Sequence, residues 1–131
     1  MAIGYNNRIV RRFKASVTIT KYQVVKADTT AGFIQIAGDE NQPLGIAMEA
    51  ANKNAYLDVC THGVYKATAA AVLTRLGDGN DLNLACAADG EIKTADSTCP
   101  YTLGQLDASQ ASAVTDDIVL VSINKNVVSI A

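Results

Sequence analysis

The chain has no tryptophan, only 5% aromatic residues, and one histidine, His62. Carbohydrate- and ligand-binding β modules usually display a row of exposed aromatics, so that class fits poorly. With a single histidine, any Ser-His-Asp or Cys-His arrangement must use His62. Cys60 lies two residues away, on the same face of a strand, which is not a nucleophile–base geometry. His62 therefore reads as structural. No GxxxxGK[ST] phosphate cradle occurs. The three cysteines, Cys60, Cys86 and Cys99, show no CxxC spacing. Their odd number and spacing argue against a disulfide framework and against a zinc site, and reduced thiols from a cytoplasmic synthesis are expected. Cys60, inside an apolar strand-like run, reads as a small core residue. No apolar run reaches the roughly 18 residues of a transmembrane helix. The opening MAIGYNNRIVRRFK lacks the apolar stretch of a secretory leader.

Acidic residues are missing from the first part of the chain. Before Asp28 there are only Arg8, Arg11, Arg12, Lys14, Lys21 and Lys26, a charge of +6. The other 104 residues hold 5 basic and 13 acidic side chains, or −8, which gives the net −2. Two readings stand for the basic end: a solvated tail, or an arm that reaches an acidic surface on another subunit, the second being the stronger. Nucleic acid is a poor partner, because an acidic body beside the arm repels phosphate. The scattered tyrosines (5, 22, 56, 65 and 101) do not form an RNA-stacking platform either.

Two acidic clusters fit ordinary roles. Asp78, Asn80 and Asp81 in GDGND lie at a sharp turn, but no glutamate follows at the twelfth position that a calcium loop needs. Asp116 and Asp117 point to opposite faces of an extended chain and read as charged gatekeepers before an apolar strand. No catalytic residue, cofactor or metal site is expected, and the chain reads as a non-enzyme.

What is present is β-structure. At 131 residues, 49% hydrophobic and 18% charged, the chain is long and apolar enough for one folded domain. SVTIT (16–20), YQVVKAD (22–28), GFIQIAG (32–38) and PLGIAME (43–49) read as strands separated by turns. AYLDVCTHGVYKATA (55–69) alternates for its whole length, with a bend expected at His62-Gly63. ATAAAVLTRLG (67–77) reads as a helical turn or as a strand followed by a loop. LNLACA (82–87), EIKTA, YTLGQLDA (101–108) and DDIVLVSIN (116–124) complete the set. Asp89-Gly90 gives a hairpin signal, and the 116–124 run is apolar enough to be central. NVVSIA reads as a last edge strand or a contact with another chain. The total of eight to ten short strands favours a closed barrel or a sandwich.

The two halves repeat. Ala27, Gly32, Ile34 and Ala37 precede Ala85, Gly90, Ile92 and Ala95 by 58 residues, and Leu44-Gly45 precedes Leu103-Gly104 by 59. Such punctuation predicts pseudo-symmetric halves. Gly45, within a strand, predicts a bulge or a close backbone approach. Neither half carries reactive groups at matching positions, which points to a surface that binds. Residues 1–15 lack a clear period and read as an extended basic arm, leaving 16–131 as a single β-domain.

PLGIAMEAA (43–51), with YLDVCTHGVYKATAA (56–70), resembles the small phage proteins that decorate capsids, also called cement proteins. Val24-Val25 matches the family's early VV run. GDGNDLNLACAADGEIKTA resembles its G-D-x-L-Y-x-D-x-x-x-G-x-I-T segment, LGQLDA its I-G-x-A-L-x-A, and Ile118 to Ser122 its terminal strand. The likeness spans about 20–125. It implies an all-β barrel or β-tulip-like domain, related in architecture to the lambda head-decoration protein. It further implies a virion protein on the outer capsid surface, made in the host cytoplasm and bound to the major capsid protein. Self-association is implied, with a trimer favoured over a dimer, and no nucleic-acid or membrane partner. The arm residues Arg8, Ile9, Val10, Arg11, Arg12, Phe13 and Lys14 would be the capsid contacts. The alternatives from the same class are a head–tail connector or a tail-tube subunit, which close into rings; a ligand-binding β module ranks below them.

Overall fold

Alternation of small and branched apolar residues with polar ones gives nine strands among the described residues, and no α-helix. The computed structural model describes residues 8–74, 83–96 and 98–127, with residues 126 and 127 described through their backbone alone. The strands are β1 (Ile9–Ala15), β2 (Val24–Ala27), β3 (Phe33–Ile36), β4 (Gly45–Ala47), β5 (Tyr56–Thr68), β6 (Asn83–Cys86), β7 (Ile92–Thr94), β8 (Tyr101–Leu106) and β9 (Ile118–Val127). The fold is all-β, as expected.

β1 pairs with both β3 and β5, so β1-β3-β2-β4-β5 closes into a five-stranded barrel. Every pairing in the ring is antiparallel except that of β1 with β3, where Ala15 faces Ile34. Beyond Gly63, β5 leaves this barrel and enters a second sheet in the order β5-β9-β8-β6-β7. An isolated parallel bridge from Ala69 to Ile92 joins the end of β5 to β7. The second sheet therefore repeats the connectivity of the first.

The repeat extends to single pairs. Val25 faces Gly45 in the first unit and Leu84 faces Gly104 in the second, displaced by 59 residues. The bridge from Ile19 to Ala51 has its counterpart in that from Leu73 to Ala113. Both strand glycines serve the close approach that Gly45 predicts. A Cβ on Gly45 would overlap the carbonyl oxygen of Cys60 on β5, and one on Gly104 would overlap that of Ser122 on β9. The expected bend in β5 falls at Gly63, whose φ of 103° suits glycine. Asp89-Gly90 forms the β6–β7 hairpin through a 3₁₀ turn, with Asp89 at φ 59° and Gly90 at φ 72°. β9 is central, between β5 and β8.

Two apolar clusters follow from this layout. One fills the first barrel with Ala15, Ile19, Val25, Ile34, Ala47, Leu57 and Val59. The other joins the units: Val24, Ile46 and Cys60 of the first pack with Leu84, Ile92, Leu103, Val121 and Ile123 of the second. Adjacent residues such as Val24 and Val25 are thus both buried, each in a different cluster. Cys60, Cys86 and Cys99 are buried free thiols.

Three expectations change. SVTIT is not a strand; residues 16–20 form an irregular connection that makes one bridge, at Ile19. The strand lies just before it, where residues 9–15, expected within an arm, are hydrogen-bonded into the barrel as β1. Exposed arginines at consecutive positions 11 and 12 hide the alternation there, while Phe13 and Ala15 provide the inward face. Of the two readings of 67–77, the strand followed by a loop holds over the described part, 67–74, and the helical turn does not: β5 ends at Thr68, and Ala69 and Leu73 are taken up by bridges. The calcium-like turn at 77–81, arm residues 1–7 and the end from 128 on lie outside the described residues.

Candidate functional site

The residues expected to make contact, Arg8 to Lys14, line one side of the first barrel. Strand pairing decides which way each points. Val10 faces Cys60, Arg12 faces Asp58 and Lys14 faces Tyr56, so Arg12, Lys14, Asp58 and Tyr56 share the outer face. Arg11, Phe13 and Ala15 take the opposite face, opposite Val59 and Leu57.

The outer face is a basic and aromatic mosaic. Arg12 Nη1 donates to Asp58 Oδ1 at 3.0 Å, and its guanidinium lies 5.8 Å from the Tyr56 ring centre. Lys14 Nζ sits 5.6 Å from the rings of both Tyr56 and Phe33. Cations over ring faces are held by the ring quadrupole, by about 0.5–1 kcal/mol each at exposed sites. Tyr56 is 56% exposed.

At the start of β1 a second cluster reaches the second unit. Arg8 Nε donates to the carbonyl of Val64 at 2.8 Å, and its guanidinium lies 5.3 Å from the ring centre of Tyr65. Tyr65 packs against Tyr22 at 5.8 Å, and Lys21 lies 5.0 Å from the Tyr22 ring. Burial raises the Tyr65 phenol above its ordinary pKa, with Lys21 opposing the shift. Next to Arg8, Ile9 and Val10 are 55% and 45% exposed, and their apolar surface meets solvent.

The expected contact set therefore divides. Arg8, Ile9, Val10, Arg11 and Arg12 are exposed, and Lys14 is half-buried. Phe13 packs against the first barrel's own core, with Arg11 4.9 Å above its ring. It is a structural anchor of β1 and offers little surface to a partner. Tyr56, Phe33, Tyr65 and Tyr22 belong to the same surface but escape sequence reading, because only the strand register brings them to the basic residues.

The groups weighed for chemistry stand apart. His62 is exposed on β5, whereas the Cys60 thiol is buried and donates to the His62 carbonyl at 3.2 Å. Burial raises the Cys60 pKa, against the bond to His62 and the charges of Arg8 and Lys125. Asp116 and Asp117 cap the turn before β9: the Asp116 amide donates to Ala69, and the Asp117 carboxylate accepts from the Val114 amide. Among the described residues, no group of three His, Cys, Asp or Glu side chains is placed to hold a metal ion.

The fold is similar to that of the head fiber gp8.5 N base of bacteriophage phi29 as seen in its crystal structure. The TM-score is 0.67 at 15% identity, over 89% of this chain and 94% of that one. At that identity the likeness is one of fold. No protein-family model matches the chain, and no curated protein matches it.

Proposed function

We propose that this chain is a virion structural protein of a bacteriophage. In finer detail, it is a decoration protein that binds the outside of the mature head and stabilises contacts between major capsid protein subunits, without catalysis. The observation that carries this reading is the shared fold, over nearly the full length of both chains, with the base of a phage head fiber. The order of motifs from PLGIAMEAA through LGQLDA to the final strand supports the decoration role in particular.

On this reading the β1 surface is the contact. Ile9 and Val10 would be covered by the capsid, while Arg8, Arg12 and Lys14 meet its carboxylates. Repeated over a polyvalent lattice, modest contacts suffice for retention. The basic rim would set on-rate and salt sensitivity, and the apolar pair would set the off-rate.

Co-sedimentation with empty expanded heads tests this. Wild type is expected to bind saturably, at a fixed ratio to capsid subunits. Ile9→Ser/Val10→Ser should bind more weakly. Roughly half of each side chain remains to be covered, so the loss is about 2 kcal/mol for the pair, or roughly thirtyfold in affinity. Equal binding by the variant would remove β1 as the contact and leave the decoration role standing. Failure of wild type to bind heads, with rings or tubes forming alone, would replace that role by a connector or tail-tube one.

A further inference from the structure

A cleft of about 680 Å³ opens where the two units meet. Its walls include Lys26 at the end of β2, the Asn41–Leu44 segment before β4, Tyr101 and Thr102 on β8, and Lys125 on β9. Among the described residues that line it, two are cations and none is a carboxylate. Lys26 Nζ donates to Asn41 Oδ1 at 2.9 Å, and Lys125 Nζ to the carbonyl of Leu44 at 2.6 Å. Both partners are neutral, and an ammonium group has three protons, so each lysine keeps donors for a further acceptor.

Among the described residues no carboxylate forms an ion pair with either lysine, in a chain whose body is acidic. Lys125 is half-buried, and its pKa is lowered first by burial and then by the nearby charge of Arg11. By contrast, Lys93, which bridges the same two units, meets both Asp39 at 2.7 Å and Glu40 at 3.2 Å. One inter-unit lysine is neutralised within the chain, and the other is left facing a cavity. A carboxylate entering the cleft would supply the missing charge to a partly desolvated ammonium, where such a bond is stronger than at an open surface. Pro43, Leu44 and Tyr101 in the lining suit the apolar stem of a glutamate or its neighbours.

We propose that this inter-unit cleft is a binding site for an acidic segment of a partner protein, whose carboxylates pair with Lys26 and Lys125. In the setting of the proposed function, the partner is the capsid subunit, and the cleft is a second contact besides β1. That assignment of the partner rests on the decoration reading, while the cleft's preference for carboxylates does not.

Two measurements on the full chain separate the two ideas. In co-sedimentation with expanded heads, K26Q/K125Q should bind at least tenfold more weakly than wild type and with a flatter salt dependence, and K26R/K125R should recover most of the binding. Equal binding by K26Q/K125Q overturns the cleft as a capsid contact. The second is an amide-shift titration of the isotope-labelled protein with a blocked tri-glutamate peptide. Shifts at the amides of Asn41, Gln42, Leu44, Tyr101 and Thr102 that vanish in K26Q/K125Q support the site, even if wild type fails to bind heads and the decoration reading falls. No shift, or the same shifts in the variant, overturns the carboxylate preference itself. Unchanged thermal melting of K26Q/K125Q guards both measurements against loss of fold.

Discussion

Replacing Gly45 or Gly104 by alanine should damage the protein far more than a single methyl group ordinarily does, and by similar amounts. At Gly45 the new Cβ would overlap the Cys60 carbonyl oxygen, with Val59 Cγ1 2.8 Å away and the Cys60 carbonyl carbon 3.0 Å away. At Gly104 it would overlap the Ser122 carbonyl oxygen, with the Asn124 amide nitrogen at 2.8 Å and Ile123 Cα at 3.0 Å. These are mostly backbone atoms of paired strands, so no rotamer change relieves the clash. Overpacking costs about 1–3 kcal/mol and sometimes more; a clash with a fixed ladder belongs at the upper end, about 3 kcal/mol. For a chain of this size each kcal/mol lowers Tm by about 4 °C, so each variant should melt about 12 °C below wild type. Gly32→Ala is the control. Nothing lies within 4 Å of its Cβ, and the φ of 82° leaves only backbone strain of about 1–2 kcal/mol. Thermal unfolding followed by far-UV circular dichroism, backed by urea midpoints, reads all three. A Tm loss below about 3 °C for G45A or G104A, or a larger loss for G32A than for both, would refute the argument from strand proximity.

Phe13→Ala should cost about 2 kcal/mol, roughly half the usual figure for a buried phenylalanine, because the ring is half-buried on the first barrel's core. A fall in head binding at unchanged Tm would show Phe13 to be a contact residue instead. Lys93 is held above its ordinary pKa, first by the hydrogen bond to Asp39 and then by Glu40. Its folded pKa exceeds the unfolded one, so its contribution is complete below about pH 10.4 and is lost as pH rises through the folded value. Urea midpoints above pH 10 should therefore fall more steeply for wild type than for Lys93→Met, and parallel curves would refute the coupling. Burial pushes the Cys86 thiol up to about 12 and raises those of Cys60 and Cys99. Ellman's reagent at pH 8 should react with none of the three in the native protein and with all three in urea; fast native reaction would contradict the buried placement.

Much of the fold is legible from local punctuation. Leu44-Gly45 and Leu103-Gly104 mark equivalent strands because the same steric demand, a neighbouring carbonyl too close for a Cβ, acts twice. Asp89-Gly90 is readable because its left-handed pair leaves few other conformations. β1 is not legible in the same way. Its outward residues, Arg12 and Lys14, and its exposed inward-side Arg11 blur the alternation, and its place is fixed by β5, more than 40 residues away. The same limit applies to the surface features. Arg8 to Lys14 stand out as a run of charge, but their partners Tyr56 and Tyr65 come from the pairing register. Lys26 and Lys125 share a cleft only because two repeated units close on each other, which no local pattern records.

The 13-residue β5 has a consequence for how the molecule carries load. It runs about 40 Å and is hydrogen-bonded along its length, to β1 and β4 before Gly63 and to β9 after it. Repeated units joined by a flexible linker swivel, and each must be oriented anew when both engage a target. Here the junction is itself a strand, braced by the Lys93 bridge and a common apolar cluster. The entropy of aligning the two ends is lost once, on folding, and is not lost again when a surface is met. The chain behaves as a splint: force applied at one end passes to the other through a strand that bends at Gly63 and is held by pairing on both sides of the bend.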